Sequence, residues 1–435
     1  MDLRVTQPCP QCGGAIELSE ADRVLACPFC GVRNLLAGGS TPRYLLPDKL
    51  PAAQRLDVLL APYLRFKGSI FAVTNQEIHH AVIDTTQSGC QLPGLPPSLG
   101  LRPQAMTLRR LPPKMTGRFL PLSLDIQHIL EKAIQLSSPG GNRVAELFNA
   151  TREQHGTPPS PTPPETPRNH VLHRAMIGEM ISVLYLPLLH RRGLLLDGIL
   201  QTPLADLALD DSALPPAAPA KDSWQPRFLP MLCPNCGGNL DGANDCVVLG
   251  CPNCDSAWEL NGAELTRVEL QGIAGDSDSH LPFWRIYVDI AGLEIDSFAD
   301  FIVRTNQPVL PRPPWRERPF CFWIPACKLR PQTFLLACRQ ATLNQYRLDP
   351  QPGPLPPRRH PVTLPASEAS QALKITLAAT AVSRRNIWPR LPEIRFSKAR
   401  TTLVFLPCRD DGHELLQPQT GLAIAKSILR WGRTL

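Results

Sequence analysis

In the second half of the chain Ile286, Val288 and Ile290 alternate with Arg285, Tyr287 and Asp289, the period of a strand that buries one face. Phe66, Gly68 and Ile70 continue a similar alternation in the first half. Downstream the period lengthens to that of a helix. Ile126, Ile129, Leu130, Ala133 and Ile134 fall on one helical face behind Asp125, a suitable N-cap. A partner helix opens with Pro331, whose fixed φ suits a first turn, and turns Phe334, Leu335 and Cys338 inward. One short hairpin is expected earlier in each half, with residues 24–26 and 247–249 as the returning strands. These patterns predict an α+β fold, rich in antiparallel strands, with one or two helices packed on each sheet.

The same blocks recur in the same order. Residues 62–66 match 282–286, and residues 183–187 match 403–407, both at an offset of 220. Between them, residues 118–121 followed by 126–137 resemble 322–325 followed by 331–342. Two tandem copies of one unit are therefore expected, each a small cysteine module followed by an antiparallel-sheet domain. The expected boundaries are residues 5–35 and 231–262 for the modules, 44–210 and 280–435 for the domains, and 211–230 for a proline-rich linker. A pseudo-twofold pairing of the copies is the natural arrangement for a duplicated unit. Proline is abundant, 49 of 435 residues, about twice the usual frequency of roughly 5%. The richest segments, 157–167 and 350–365, are expected to run over the surface as loops.

Cysteine spacing carries the chemistry. Fourteen residues, 13–26, separate Cys9-x-x-Cys12 from Cys27-x-x-Cys30, and fourteen, 237–250, separate Cys233-x-x-Cys236 from Cys251-x-x-Cys254. Each CxxC forms a knuckle in which a tight turn aims two thiolates at one ion, and the Gly after its second Cys permits the positive φ of that turn. Two knuckles complete a tetrahedral S4 site. Two structural Zn2+ ions are expected; iron would use the same ligands, and zinc is preferred because nothing else in the sequence points to electron transfer. Four cysteines leave no open position, so such a metal contributes folding energy to a hairpin with almost no core and does not activate water. These motifs resemble the rubredoxin-like zinc ribbons of transcription factors and primosomal helicases, and the double ribbon is similar to an uncharacterised bacterial zinc-ribbon family. The resemblance covers the two modules and implies a metal-binding module, not an activity. Cys246 stands where the first module has Asp22 and is left out of the site.

Charge adds one feature. The net +7 is uneven: residues 311–435 hold 20 Lys+Arg against 7 Asp+Glu, and the rest is net negative. Arg384, Arg385, Arg390, Arg395, Lys398 and Arg400 are candidate phosphate contacts, with Trp388 available for base stacking. The longest apolar run, residues 181–189, contains Pro187 and is far shorter than the roughly 18 residues of a membrane-spanning helix. With no apolar signal core behind Met1, a cytoplasmic location is expected. No phosphate-binding loop, HExxH or GxSxG motif stands in a fitting context, no catalytic residue is nominated, and no small-molecule substrate is apparent. His79-His80 is expected as a strand or turn feature. Cys90, Cys321, Cys327, Cys338 and Cys408 are expected as small buried residues. Arg65 and Arg285 share one position in the two copies and are expected to pair with a carboxylate or cap carbonyls beside the modules; the alternative is a binding role toward an anionic partner. The function expected is a non-catalytic, zinc-stabilised scaffold or adaptor acting through protein partners; the alternative is nucleic-acid binding by the basic third.

Overall fold

The computed structural model describes residues 3–38, 41–47, 58–112, 115–123, 170–191, 194–206, 215, 218–219, 227–275 and 277–435. Strand makes up 44% and helix 17%, which places the chain in the mixed α+β class with sheet dominant. Two small hairpins come first, β1 (Arg4–Pro8) with β2 (Ala15–Ser19) and β3 (Val24–Ala26) with β4 (Arg33–Ala37). A short β5 (Arg43–Leu45) leads to the hairpin of β6 (Val58–Thr74) and β7 (Ile78–Ser88). After β8 (Thr107–Arg110) and β9 (Thr116–Phe119) comes β10 (Val171–Arg191), antiparallel to β6 along most of its length. β11 (Leu194–Asp197) and β12 (Pro203–Asp206) fold back on its end, and β13 (Ala218–Pro219) pairs with β9.

The second half contains β14 (Arg227–Pro230), β15 (Val248–Cys251), β16 (Ser256–Asn261), β17 (Glu264–Val268) and β18 (Leu270–Gly272). Then follow β19 (Ser279–Ala291), β20 (Phe322–Pro325), β21 (Arg395–Asp410), β22 (Glu414–Gln417) and β23 (Leu422–Ala425). Its helices are α1 (Phe298–Arg304), α2 (Pro313–Arg316), α3 (Pro331–Leu343), α4 (Ala366–Gln371), α5 (Leu373–Thr380), α6 (Arg384–Ile387) and α7 (Lys426–Gly432). As the period predicted, α3 starts on Pro331 and buries Phe334 and Cys338, with Leu335 half-buried.

The long strand pairs of the two halves have one register. In β6–β10 Pro62 faces Tyr185, Arg65 faces Ser182 and Lys67 faces Met180. In β19–β21 Pro282 faces Phe405, Arg285 faces Thr402 and Tyr287 faces Arg400, every partner displaced by 220 residues. The bulges coincide as well: the register skips between Ile177 and Met180 and again between Ser397 and Arg400. At matching left-handed positions in these bulges Gly178 has φ 69° and Lys398 has φ 50°. A parallel neighbour meets the same place in both, with Arg43 of β5 opposite Val183 and Leu270 of β18 opposite Leu403, although these two short strands lie 227 and not 220 residues apart. The terminal hairpin keeps the displacement of 220: Leu189 faces Leu196 and Arg409 faces Leu416. A slip of one residue would turn every side chain to the other face, so these shared pairings place equivalent side chains on equivalent faces.

Several expectations are corrected. Residues 118–121 and 322–325 do not occupy equivalent places: β20 is antiparallel to β19, whereas β9 is parallel to β6 and meets it at Leu59 and Leu60. β7 follows β6 through a short turn and fills the edge from Tyr63 onward, while in the second half α1 and α2 stand in that part of the chain and the edge is left to β20. β6 is buried over all 17 of its residues and not on one face alone: on one face Leu59, Ala61 and Tyr63 pack with Leu3 and Val5 of the first module and Phe71 and Val73 enter the second-half core, while on the other Leu60, Leu64 and Phe66 pack with Leu111 and Val183, and Ile70 and Ala72 with Ile83. The segment 350–365 is not wholly a surface loop. It is pinned by pairings of Gln351 with Gly272 and of Arg359 with His280, and it inserts Val362 and Leu364 into the core. The predicted helix at 126–137 and loop at 157–167 lie outside the described residues, as does most of 211–230; apart from Pro215, the described parts of that linker are strands, β13 and β14.

The halves share one continuous core. Phe71, Val73, Ala175 and Ile177 from β6 and β10 belong to the same buried cluster as the second-half sheet and helices. The rings of Phe71 and Phe334 meet with centroids 6.0 Å apart, and the Glu179 N–H donates to Glu368 of α4 at 3.2 Å. Strands of one half meet helices of the other, so among the described residues this joint is between unlike surfaces and not the expected pseudo-twofold.

Candidate metal centres

Each cysteine quartet is assembled by two turns at the ends of short strands. The Gly13 N–H donates to the Cys9 carbonyl at 2.9 Å, Gly31 to Cys27 at 3.0 Å and Gly237 to Cys233 at 2.9 Å. The three glycines have φ of 75°, 71° and 73°, the left-handed conformation that an L side chain resists. The fourth knuckle differs: Asp255 takes the position after Cys254 with φ 50°, a conformation that Asp tolerates better than most residues.

The sulfurs converge. All four Sγ atoms of Cys9, Cys12, Cys27 and Cys30 lie within 4.8 Å of one another, and so do those of Cys233, Cys236, Cys251 and Cys254. Cys9–Cys30 and Cys12–Cys27 are each 3.7 Å apart, Cys233–Cys254 is 3.7 Å and Cys236–Cys251 is 3.5 Å. A tetrahedron of bonds of about 2.3 Å has edges of about 3.8 Å, so both quartets fit a metal ion. Their acidity points the same way. Burial opposes ionisation of Cys233, but the Ser256 hydroxyl, the N–H groups of Cys236 and Asn235 and the Cys254 thiol outweigh it and bring its pKa down to about 6. Across the quartet, burial and the neighbouring thiols push Cys251 up to about 12. Four thiolates this close cannot all ionise without a cation among them.

The modules are joined to each other. β14, which leads into the second quartet, pairs with β4 of the first module from Arg227–Ala37 to Pro230–Asn34. The carbonyl of Asn244 accepts the N–H groups of Arg23 and Val24 at 2.6 and 2.9 Å, and Arg33 donates to the Gly242 carbonyl at 2.8 Å. Val24 and Leu35 share a buried cluster with Met231, Cys233, Leu249, Cys251 and Trp258. Cys246 is buried in that cluster, outside both quartets.

No family model, curated protein or solved structure matches this chain. What it can do is read from the quartets and the surfaces around them.

Arg65 is 1% exposed and lies between Glu20 of the first module and Asp84 of β7, the latter at 2.8 Å. Ser182 donates to the second oxygen of Glu20 at 2.6 Å. Arg285, its register mate, does something else: its guanidinium lies over the Tyr287 ring at 5.2 Å, and its buried Nε has no hydrogen-bond partner. His79 lies beside Glu77 on β7 at 3.4 Å. Cys90, Cys321, Cys327, Cys338 and Cys408 are buried, and burial pushes their thiols up.

Arg384, Arg385, Arg390, Arg395, Lys398 and Arg400 are all exposed, spread from α6 to the start of β21. Several are engaged: Lys398 pairs with Asp289 at 2.9 Å, Arg384 lies over Trp388 at 4.8 Å, Arg400 over Tyr287 at 5.7 Å, and Arg395 donates to the Ile394 carbonyl at 3.1 Å. Trp388 is not available for stacking. It is 4% exposed, and its indole N–H is taken by the Ala378 carbonyl at 3.0 Å. Among the described residues no helix is long and apolar enough to cross a membrane.

The sequence did not single out Glu20, the partner of Arg65 and Ser182, or Ser256 and Trp258, which lie beside the second quartet. Only the contrast between aligned modules signals them, since Ser256 and Trp258 stand where the first module has Val32 and Asn34.

Proposed function

We propose that the quartets are two structural zinc ribbons and that the protein is a non-catalytic, zinc-stabilised scaffold or adaptor, built from two tandem copies of a ribbon-plus-sheet unit and working through protein–protein contacts in the cytoplasm. The observation that carries this is the joint: β14 enters the second quartet and completes the sheet of the first, so both metal sites brace one surface where the copies meet. Closed S4 sites supply folding energy and no open coordination position, and the common strand register supports the duplication. Fourteen cysteines without a disulfide suit a reducing compartment. The test is metal analysis of the purified chain with affinity purification from its native source. Two zinc ions per chain and a partner that is lost from Cys12→Ser and Cys236→Ser variants support it. Iron in the quartets, or no stable partner, counts against it.

A second reading, nucleic-acid binding by the basic third, is favoured by the exposure of all six candidate cations. It has lost its aromatic platform with the burial of Trp388. Filter binding across a salt series separates the readings: phosphate contacts weaken binding steeply as salt rises, and a weak, flat response disposes of the second.

A further inference from the structure

The two quartets have the same ligands and different surroundings. In the second, Ser256 Oγ lies 3.4 Å from Cys233 Sγ and 3.0 Å from Cys254 Sγ. The Trp258 indole N–H donates to that oxygen at 2.8 Å. With a lone pair of the oxygen so engaged, the hydroxyl hydrogen is left to point at the sulfurs. Asn253 Nδ2 donates to Cys236 Sγ at 3.3 Å. Side chains thus surround three of the four thiols.

In the first module the corresponding positions hold Val32, Asn34 and Phe29. Valine and phenylalanine have no donor, and Phe29 is 69% exposed. The first quartet is met by backbone N–H groups instead: Gln11 lies 3.4 Å from Cys9 Sγ, Gly14 serves Cys12, Phe29 and Cys30 serve Cys27, and Val32 serves Cys30. A divalent ion in four thiolates leaves a net charge of −2, which outer donors stabilise; removing such partners typically costs about 10–100-fold in metal affinity.

Building on the zinc reading, we infer that the second quartet holds the retained metal and the first an exchangeable one, with Ser256, Trp258 and Asn253 as the residues that set the difference. Metal leaves Cys9, Cys12, Cys27 and Cys30 first when a chelator competes. β4 belongs to that module and is the partner of β14, so the first loss loosens the joint between copies while the second quartet stays closed.

The test loads the full chain with zinc, counts the ions, adds excess pyridylazoresorcinol and traps freed thiols with N-ethylmaleimide for peptide mapping. The expected result is two ions released in two phases separated by about tenfold or more, the fast phase labelling the first quartet. Ser256→Val speeds the slow phase and leaves the fast one unchanged. Should that variant misfold, Cys12→Ser serves instead, retaining one ion that leaves at the slow rate. A single phase that labels both quartets together, or earlier labelling of Cys233, Cys236, Cys251 and Cys254, overturns the inference. Fewer than two ions at the start fails the zinc reading itself, before any order of release is measured.

Discussion

Arg65 is a full charge inside a sheet, held there by Glu20 and Asp84. A buried pair of this kind contributes little net stability when complete, but losing one partner strands the other. Arg65→Met is expected to destabilise the protein by about 3–5 kcal/mol, and adding Glu20→Gln should recover part of that loss because the charge left without its ion pair is then only Asp84, which is 22% exposed and accepts from Gln104 at 3.2 Å. Urea denaturation of the two variants checks both; a loss below about 1 kcal/mol for Arg65→Met would show that water reaches the site. The recurrence of this arginine was legible in the sequence, but its partner was not, since Glu20 sits 45 residues away in another module. Nor did recurrence guarantee a shared role: Glu20 corresponds to Asn244, and Arg285 turned to Tyr287 instead. His360 makes a second prediction. Burial, with Arg433 adding to it and Asp245 opposing, lowers its pKa from 6.5 to about 4, and its buried Nε2 has no hydrogen-bond partner. The unfolded chain therefore binds the proton more readily between these values, so this contribution is complete above pH 6.5 and is lost as pH falls toward 4. Wild type should lose up to about 1.4 kcal/mol more than His360→Gln per pH unit in that window. Denaturation at two pH values, compared between the two proteins, cancels acid effects on the cysteines; equal losses would sink the assignment.

At the scale of elements, alternation located β19, and the 220-residue offset matched β19 and β21 to β6 and β10 without showing that the strands pair. Periodicity was blind to β5 and β18, which are three residues long and hold their place by pairing with a longer strand. It also misjudged β6, because alternation presumes that one face meets water and β6 meets protein on both. The shared bulge offers a test at this scale. Gly178 has φ 69°, and a Cβ there would touch the Lys328 stem at 3.5 Å; Gly178→Ala should cost about 1–2 kcal/mol, chiefly from left-handed strain. Lys398 bears that strain already. Its ion pair with Asp289 joins side chains that are 83% and 59% exposed, which contributes little. Lys398→Gly should therefore be neutral or stabilising by up to about 1 kcal/mol. Thermal melts of both variants report the signs, and a destabilised Lys398→Gly would mean that the lysine does more than fill a bulge.

The whole molecule is held by a joint that no local pattern announces. Metal ligands were legible because their spacing repeats to the residue, whereas the joint depends on which strands of one half meet which helices of the other. Phe71 belongs to a strand pair shared in register by both halves, yet its contact is with Phe334 of α3, 6.0 Å away across the joint. Both rings are almost wholly buried, at 1% and 2% exposure. Truncating either to alanine is expected to cost about 3–5 kcal/mol, and the double variant should show a coupling of about 0.5–1.5 kcal/mol beyond the area lost. The second-half core is larger and carries all the described α-helices, so weakening the joint should release the first half at lower denaturant. Denaturation followed both by tryptophan fluorescence and by exchange of β6 and β10 amides would then show two transitions in Phe71→Ala where wild type shows one. None of the seven tryptophans precedes residue 224; Trp284, Trp315, Trp323 and Trp388 are buried in the second-half core and Trp258 packs on Val24 and Leu35 of the first module, so the first-half sheet is read by the amides and not by fluorescence. Coincident transitions in the variant would mean that the halves fold as one unit even without the ring contact, with the modules and β14 carrying the cooperativity instead.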